Sequence, residues 1–201
     1  MLMVRVRAAC MPNDEQTNQP KMPASLLGSG LWWLWLSVIA VVLDQVTKLW
    51  ARDAIELYGK IEILPIFNLT HVHNYGAAFS FLSEAGGWQR SALSILAIAI
   101  SCLLLWWMRQ TPKSNKLLGL SYSLILGGAI GNVIDRVAYG FVEDFIHFYY
   151  QTWHFPAFNV ADMAISLGAF LLIVDAFKSG DKDEQQAKND VTDSKQGGSD
   201  D

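Results

Sequence analysis

The chain has 201 residues, of which 52% are apolar and 17% charged, whereas a soluble domain carries about 25% charge. Its net charge of −4 is that of residues 179–201, which hold three lysines and seven acids, so the remaining charges balance and are bunched between long uncharged runs. This excludes a nucleic-acid binder driven by net positive charge and an ordinary soluble globule, and leaves a small membrane protein.

Residues 1–25 are polar and are expected to form a disordered extension. Four apolar segments follow, at 26–50, 88–108, 117–134 and 158–177, each long enough to cross a hydrocarbon layer of about 30 Å at about 1.5 Å per residue. Four buried runs of this kind in a soluble protein would leave too little polar surface to cover them. The expected fold is therefore an all-α polytopic membrane protein with four transmembrane helices. Arg5, Arg7 and Lys21 precede the first span, Arg109, Lys113 and Lys116 lie in the second connection, and Lys178 and Lys182 follow the fourth span. The 51–87 and 135–157 connections lack such an excess, so the positive-inside rule places the N- and C-termini in the cytoplasm and these two connections outside. Trp32, Trp50, Trp88, Trp106 and Trp153 fall near span ends, where indoles favour the interface.

Within 51–87, Lys60–Leu64 and Phe67–His73 alternate as half-buried strands do, which predicts a small periplasmic sheet platform between helices 1 and 2, followed by an apolar lip at 77–82. The connection 135–157 reads as a loop, aromatic from residue 145 onward. The tail 179–201 has almost no apolar residues and is expected to be disordered. The membrane domain thus occupies 26–178. Cys10 and Cys102 lie in dissimilar surroundings and make neither an expected disulfide nor a CxxC pair.

Ionisable groups inside a span are costly and mark candidate functional sites. Counted from Leu31, Asp44 lies roughly 20 Å up and Lys48 roughly 26 Å; counted from Leu117, Asn132 lies roughly 22 Å up and Asp135 roughly 27 Å. Asp162 is roughly 6 Å below the outer end of the fourth span, and Asp144 lies in the loop above. Polar groups from separate parts of the chain therefore share one level, the outer third of the bilayer. Asp44 and Lys48 are four residues apart on one helix face and neutralise each other, a structural role. Gly127 and Gly131 form a GxxxG that lets another helix approach closely. Asp135–Arg136 reads as an interface anchor or part of the site.

Asp144 and Asp162 are the candidate catalytic pair. Two carboxylates held close in a low-dielectric site share a proton; the ionised one takes a proton from water while the protonated one polarises a peptide carbonyl. Two unrelated interfacial acids would have the same spacing, so spacing alone leaves both readings open. Glu143, next along, would point elsewhere. No HExxH or GxSxG occurs, the four histidines make no metal set, and no cofactor is expected.

Five ordered motifs carry a resemblance: Asp44-Gln-x-x-Lys48, Asn74-Tyr-Gly-Ala-Ala-Phe79, Gly127-Gly-Ala-x-Gly-Asn-x-x-Asp-Arg136, Val142-x-Asp144-Phe and Phe158-Asn-x-Ala-Asp162. In this series the chain resembles the bacterial lipoprotein signal peptidase (signal peptidase II) family over about residues 26–178. The resemblance implies an intramembrane aspartic endopeptidase of the bacterial inner membrane, multi-pass, with its active site facing the periplasm. It would remove signal peptides from diacylglyceryl-modified prolipoproteins, cutting just before the lipidated cysteine. It places Asp144 and Asp162 on the catalytic dyad and Asp44, Lys48, Asn74, Gly128, Asn132, Asp135, Arg136 and Asn159 on supporting or substrate-contacting positions. Implied partners are prolipoprotein substrates, membrane lipid and the inhibitor globomycin; no nucleic acid is expected, and the outer mouth needs no second subunit, so a monomer is. Glu143 departs from the family pattern as a third acid beside the dyad. The alternatives are a proton-coupled transporter using the same aspartates as a relay, which would place them nearer the midplane, and a non-enzymatic scaffold.

Overall fold

The first long helix is apolar outside and polar inside. In α1 (Leu34–Ala54), Ser37, Ala40, Asp44, Lys48 and Ala51 are buried at intervals of three and four residues, while Val38, Ile39, Val42, Leu43, Val46 and Leu49 are exposed. A water-soluble helix has the reverse arrangement; this one suits apolar surroundings. The structure is a computed structural model that describes residues 25–76 and 87–196. The expectations for 1–24, for the 77–82 lip and for 197–201 lie outside these residues.

Four helices are long and apolar enough to span a membrane, α1 with its preceding turn, α2 (Trp88–Gln110), α3 (Lys116–Ala138) and α4 (Val160–Gln196, apolar to Lys178). Two short 3-10 turns at Leu26–Gly28 and Gly30–Trp33 lead into α1 where a continuous span from residue 26 was expected. They pack against the α2–α3 connection through Gly30 N–H to Thr111 O at 2.6 Å and Lys113 N–H to Gly28 O at 3.0 Å. Asn115, a favoured N-cap residue, accepts the Leu118 N–H and starts α3.

Helix α3 is central and the most buried of the four. Small residues line it because its neighbours approach to backbone contact. A Cβ on Gly127 would lie 2.7 Å from the Ala40 Cβ of α1, one on Gly128 would collide with the Ala161 carbonyl of α4, and one on Gly168 of α4 would lie 2.7 Å from the Ser121 carbonyl. Across α1 and α3, Ser37 Oγ donates to Ser123 O at 2.8 Å and Ser123 Oγ to Trp33 O at 2.9 Å. Such contacts hold helices together where lipid removes the hydrophobic drive between them.

At the other end of the bundle lies a four-stranded antiparallel sheet, in order β1 (Lys60–Leu64), β2 (Phe67–Asn74), β3 (Val142–Tyr150) and β4 (Trp153–His154). The expected β1–β2 pair is present. The 135–157 connection, expected as a loop, supplies the other half: Val142–Tyr150 pairs along β2 with Asn74 opposite Val142 and Phe67 opposite Phe148. Its β-branched and aromatic side chains fit a half-buried pleat. The turn into β3 needs Gly140, whose φ is +91° and whose N–H bonds back to Asp135 O at 3.3 Å, the usual glycine close of a helix.

Helix α4 continues through 179–196, where composition predicts no order. Extending an existing helix needs no new nucleus, and the segment holds three Lys and three Gln, both good helix formers, and no Pro.

Candidate active site

The site is built where the sheet meets the ends of α1, α3 and α4. Asn159 caps α4, as its residue type favours, and its side-chain oxygen accepts the Asp162 N–H at 2.9 Å. That donor can only donate, so the Asn159 amide nitrogen is turned the other way, to Asp144 Oδ1 at 2.7 Å. The same logic orients two more amides. Asn74 accepts the Gly76 N–H at 3.0 Å and gives its nitrogen to Asp144 Oδ2 at 2.9 Å. Asn132 accepts the Lys48 ammonium at 3.1 Å and gives its nitrogen to Asp162 Oδ1 at 2.8 Å. Three asparagines, each locked by an obligate donor, thus aim N–H groups at the two aspartates.

Asp144 is 2% exposed. Burial raises its carboxyl, and the nearby Asp162 charge raises it further, to about 7, against the opposing amides of Asn74 and Asn159 and the Lys48 charge.

Beneath the aspartates, Lys48 is buried between two carboxylates, 2.7 Å from Asp44 Oδ2 and 2.7 Å from Asp135 Oδ2. The expected Asp44–Lys48 pair is present, and Asp135 completes it instead of pairing with Arg136. Asp44 Oδ1 accepts the Ala161 N–H at 2.8 Å, one of the free donors at the start of α4. Asp135 Oδ2 accepts the Glu143 N–H at 3.3 Å and so holds the start of β3. Gln45, passed over on the sequence because it lies beside the Asp44–Lys48 face, donates to Asp135 Oδ1 at 2.9 Å. Arg136 donates to the Gly76 carbonyl at 3.0 Å. Gly128 and Gly131 let α4 and the Asp44 carboxylate come close. Every site residue named from the sequence therefore lies in or beside this one network.

A cavity of about 250 Å³ opens below Asp162 between α2, α3 and α4. Asn132, Arg136 and Asp162 form its polar end, and Leu93, Leu96 and Ile165 are among its apolar walls.

On the far side of β3 lies a cluster that spacing alone did not reveal. Glu143, 2% exposed, meets Arg52 Nη2 at 2.8 Å, His71 Nε2 at 2.8 Å and His73 Nε2 at 3.8 Å. The His71–His73 alternation was the visible signal, and the third member comes from a strand about 70 residues away.

A multi-span membrane protein that holds one buried and one half-buried carboxylate by asparagine amides, the second at the polar end of an apolar cavity, has the architecture of an aspartic-type membrane protease. Residues 36–178 match the family described as Signal peptidase (SPase) II, and the chain belongs to that family. It is 52% identical over 158 residues to the lipoprotein signal peptidase of Alteromonas mediterranea, covering 79% of this chain and 87% of that one. It is 56% identical over 153 residues to that of Pseudoalteromonas atlantica, covering 76% and 93%. Among solved structures it is similar to a bacterial membrane enzyme determined by the in meso method at 2.3 Å resolution, with a TM-score of 0.67, 31% identity and coverage of 74% and 89%. A second bacterial membrane enzyme gives a TM-score of 0.63 at 32% identity, covering 73% and 93%. The chain is thus a multi-pass membrane hydrolase with signal peptidase II function, acting on prolipoproteins. The transporter alternative has no support.

Proposed function

We propose that Asp144 and Asp162 are the catalytic dyad and cleave the signal peptide from a diacylglyceryl-modified prolipoprotein just before its lipidated cysteine. The observation that carries the assignment is the Asn159 side chain, which touches Asp144 Oδ1 and the Asp162 N–H at once and so ties the two acids together. With one proton between them, the ionised carboxylate takes a proton from the attacking water and the protonated one polarises the scissile carbonyl. When the tetrahedral species collapses, the proton gained by the dyad passes to the leaving amine. Asn74, Asn132 and Asn159 position the acids, and the buried Lys48 holds Asn132 in its productive orientation.

The apolar cavity receives the hydrophobic stretch of the signal peptide, with Asp162 at its polar end. Lipid tails of the modified cysteine stay in the surrounding leaflet. Lys113 and Lys116 lie at the end of the bundle away from the sheet, which supports cytoplasmic termini and a periplasmic sheet and dyad in the inner membrane. The enzyme works as a monomer, since the dyad and its supports come from one chain, and globomycin blocks it by occupying the dyad. The membrane domain spans 26–178.

The test is to incubate the purified enzyme with a diacylated and a non-lipidated precursor, with and without globomycin. Cleavage of the diacylated form alone, lost with globomycin and in Asp162→Asn, is the expected result. Equal cleavage of both precursors, or activity retained in Asp162→Asn, overturns the assignment.

A further inference from the structure

The face of β3 turned away from the dyad carries a donor set that signal peptide cleavage does not use. His71, His73 and Glu143 each turn one ligand atom to a common point, and these atoms lie within 4.8 Å of one another. His71 and His73 alternate along β2, and Glu143 is paired directly across from His73 on β3, so the sheet itself brings the three together.

His71 identifies what belongs between them. Its Nδ1 lies 2.9 Å from the Ile55 carbonyl, which can only accept, so Nδ1 holds the ring proton. Nε2 then presents a lone pair to Glu143 Oε2 at 2.8 Å, and neither atom has a hydrogen-bond partner among the described residues. Two facing lone pairs repel, so a positive species belongs between them: a second ring proton or a metal ion. The second imidazole argues for the metal. A proton would satisfy His71 and Glu143 and leave His73 Nε2 at 3.8 Å from the same carboxylate without a function, whereas an ion takes all three.

The surroundings fit as well. A carbonyl on the far nitrogen of a histidine is the usual partner of a metal-ligating imidazole. The His73 ring is stacked on Phe141 with centroids 3.6 Å apart, which sets its plane. Arg52 places both of its contacts, at 2.8 and 2.9 Å, on Glu143 Oε1, leaving Oε2 for an ion. The 2.8 Å between His71 Nε2 and Glu143 Oε2 and the 4.8 Å within which all three ligand atoms lie bracket the roughly 3.4 Å between donors around tetrahedral zinc.

We propose that His71 Nε2, His73 Nε2 and Glu143 bind one divalent cation of the zinc type, with water in the remaining position. The ion clamps β2 to β3 one residue from Asn74 and Asp144, on the opposite face. Imidazole donors favour such an ion over magnesium or calcium, which prefer oxygen.

The test is titration of tag-free full-length protein in detergent with Co²⁺, followed by displacement with Zn²⁺. The expected result is one equivalent bound with the visible absorption of a four-coordinate cobalt site, bleached by zinc. His73→Gln, at a half-buried position, and Glu143→Gln each weaken binding about tenfold or more. Arg52→Gln tightens it, because a competing cation is gone. His154→Ala, in the separate His147–His154 pair, leaves it unchanged. No cobalt spectrum at one equivalent, a spectrum indifferent to His73→Gln, or one lost with His154→Ala overturns the proposal. His73→Gln keeps the test decisive if the buried His71 does not tolerate replacement.

Discussion

Glu143 and Asp144 are consecutive in β3, yet their side chains leave opposite faces of the sheet. Asp144 meets Asn74 and Asn159, while Glu143 meets Arg52, His71 and His73. One strand thus keeps the Glu143 cluster and the proposed dyad acid apart. Glu143 points away from Asp144, as its place next along the chain predicts, so it does not sit between the two aspartates.

Asp144→Asn and Asp162→Asn are each expected to leave a folded protein that no longer cleaves. The amide keeps the volume and much of the hydrogen bonding but cannot exchange the proton. The loss is roughly 10²–10⁴-fold or more. A precursor gel-shift assay reads the activity, and size-exclusion elution in detergent reports the fold.

The raised carboxyl of Asp144 predicts a pH dependence of known sign. Its ordinary value is 3.8 and its folded value about 7, so between these limits the folded chain holds a proton that the unfolded chain releases. Stability is therefore greatest at the acid side of this window and declines as pH rises through about 7. Cleavage declines in the same direction as both acids ionise. Melting curves from pH 5 to 8 should show the slope in the natural protein and a flatter one in Asp144→Asn.

Lys48→Met removes the cation shared by Asp44 and Asp135 and strands two buried carboxylates. The expected cost is about 3–5 kcal/mol, read by unfolding in mixed micelles. Asp44→Asn costs less, because Lys48 keeps Asp135 at 2.7 Å.

Gly128→Ala forces α3 and α4 apart at the Ala161 carbonyl, one residue from Asp162. Gly168→Ala strains the same pair of helices at Ser121, far from the dyad. Both are expected to lose about 1–3 kcal/mol by overpacking. Gly128→Ala should lose at least about tenfold more cleavage than Gly168→Ala when the two are assayed side by side, since a small misplacement at the chemistry is costly.

The helices and the level of the site were legible because a membrane imposes long apolar runs and makes each exception conspicuous: Asp44, Lys48, Asn132 and Asp162 stand out against Leu, Ile and Val. Strand β3 was not. Val142–Tyr150 mixes acids, a histidine and aromatics without clean alternation, and it becomes a strand only because β2 offers an edge. Lys48 was read with the acid four residues away, and Asp135, 87 positions on, joins it only through the packing of α1 against α3. The Glu143 cluster was hidden for the same reason, since a ligand from another strand leaves no spacing to read.

The sheet also sets when the enzyme can first act. Its two hairpins come from connections separated by two whole spans, and Asn74 reaches Asp144 across 70 positions. A nascent chain that has made only the first pair of helices carries an open strand edge and neither aspartate. On the proposed dyad, proteolytic competence requires β3 and the fourth span, so copies in the bilayer that have made only the first pair of helices are inert toward the leaders passing beside them.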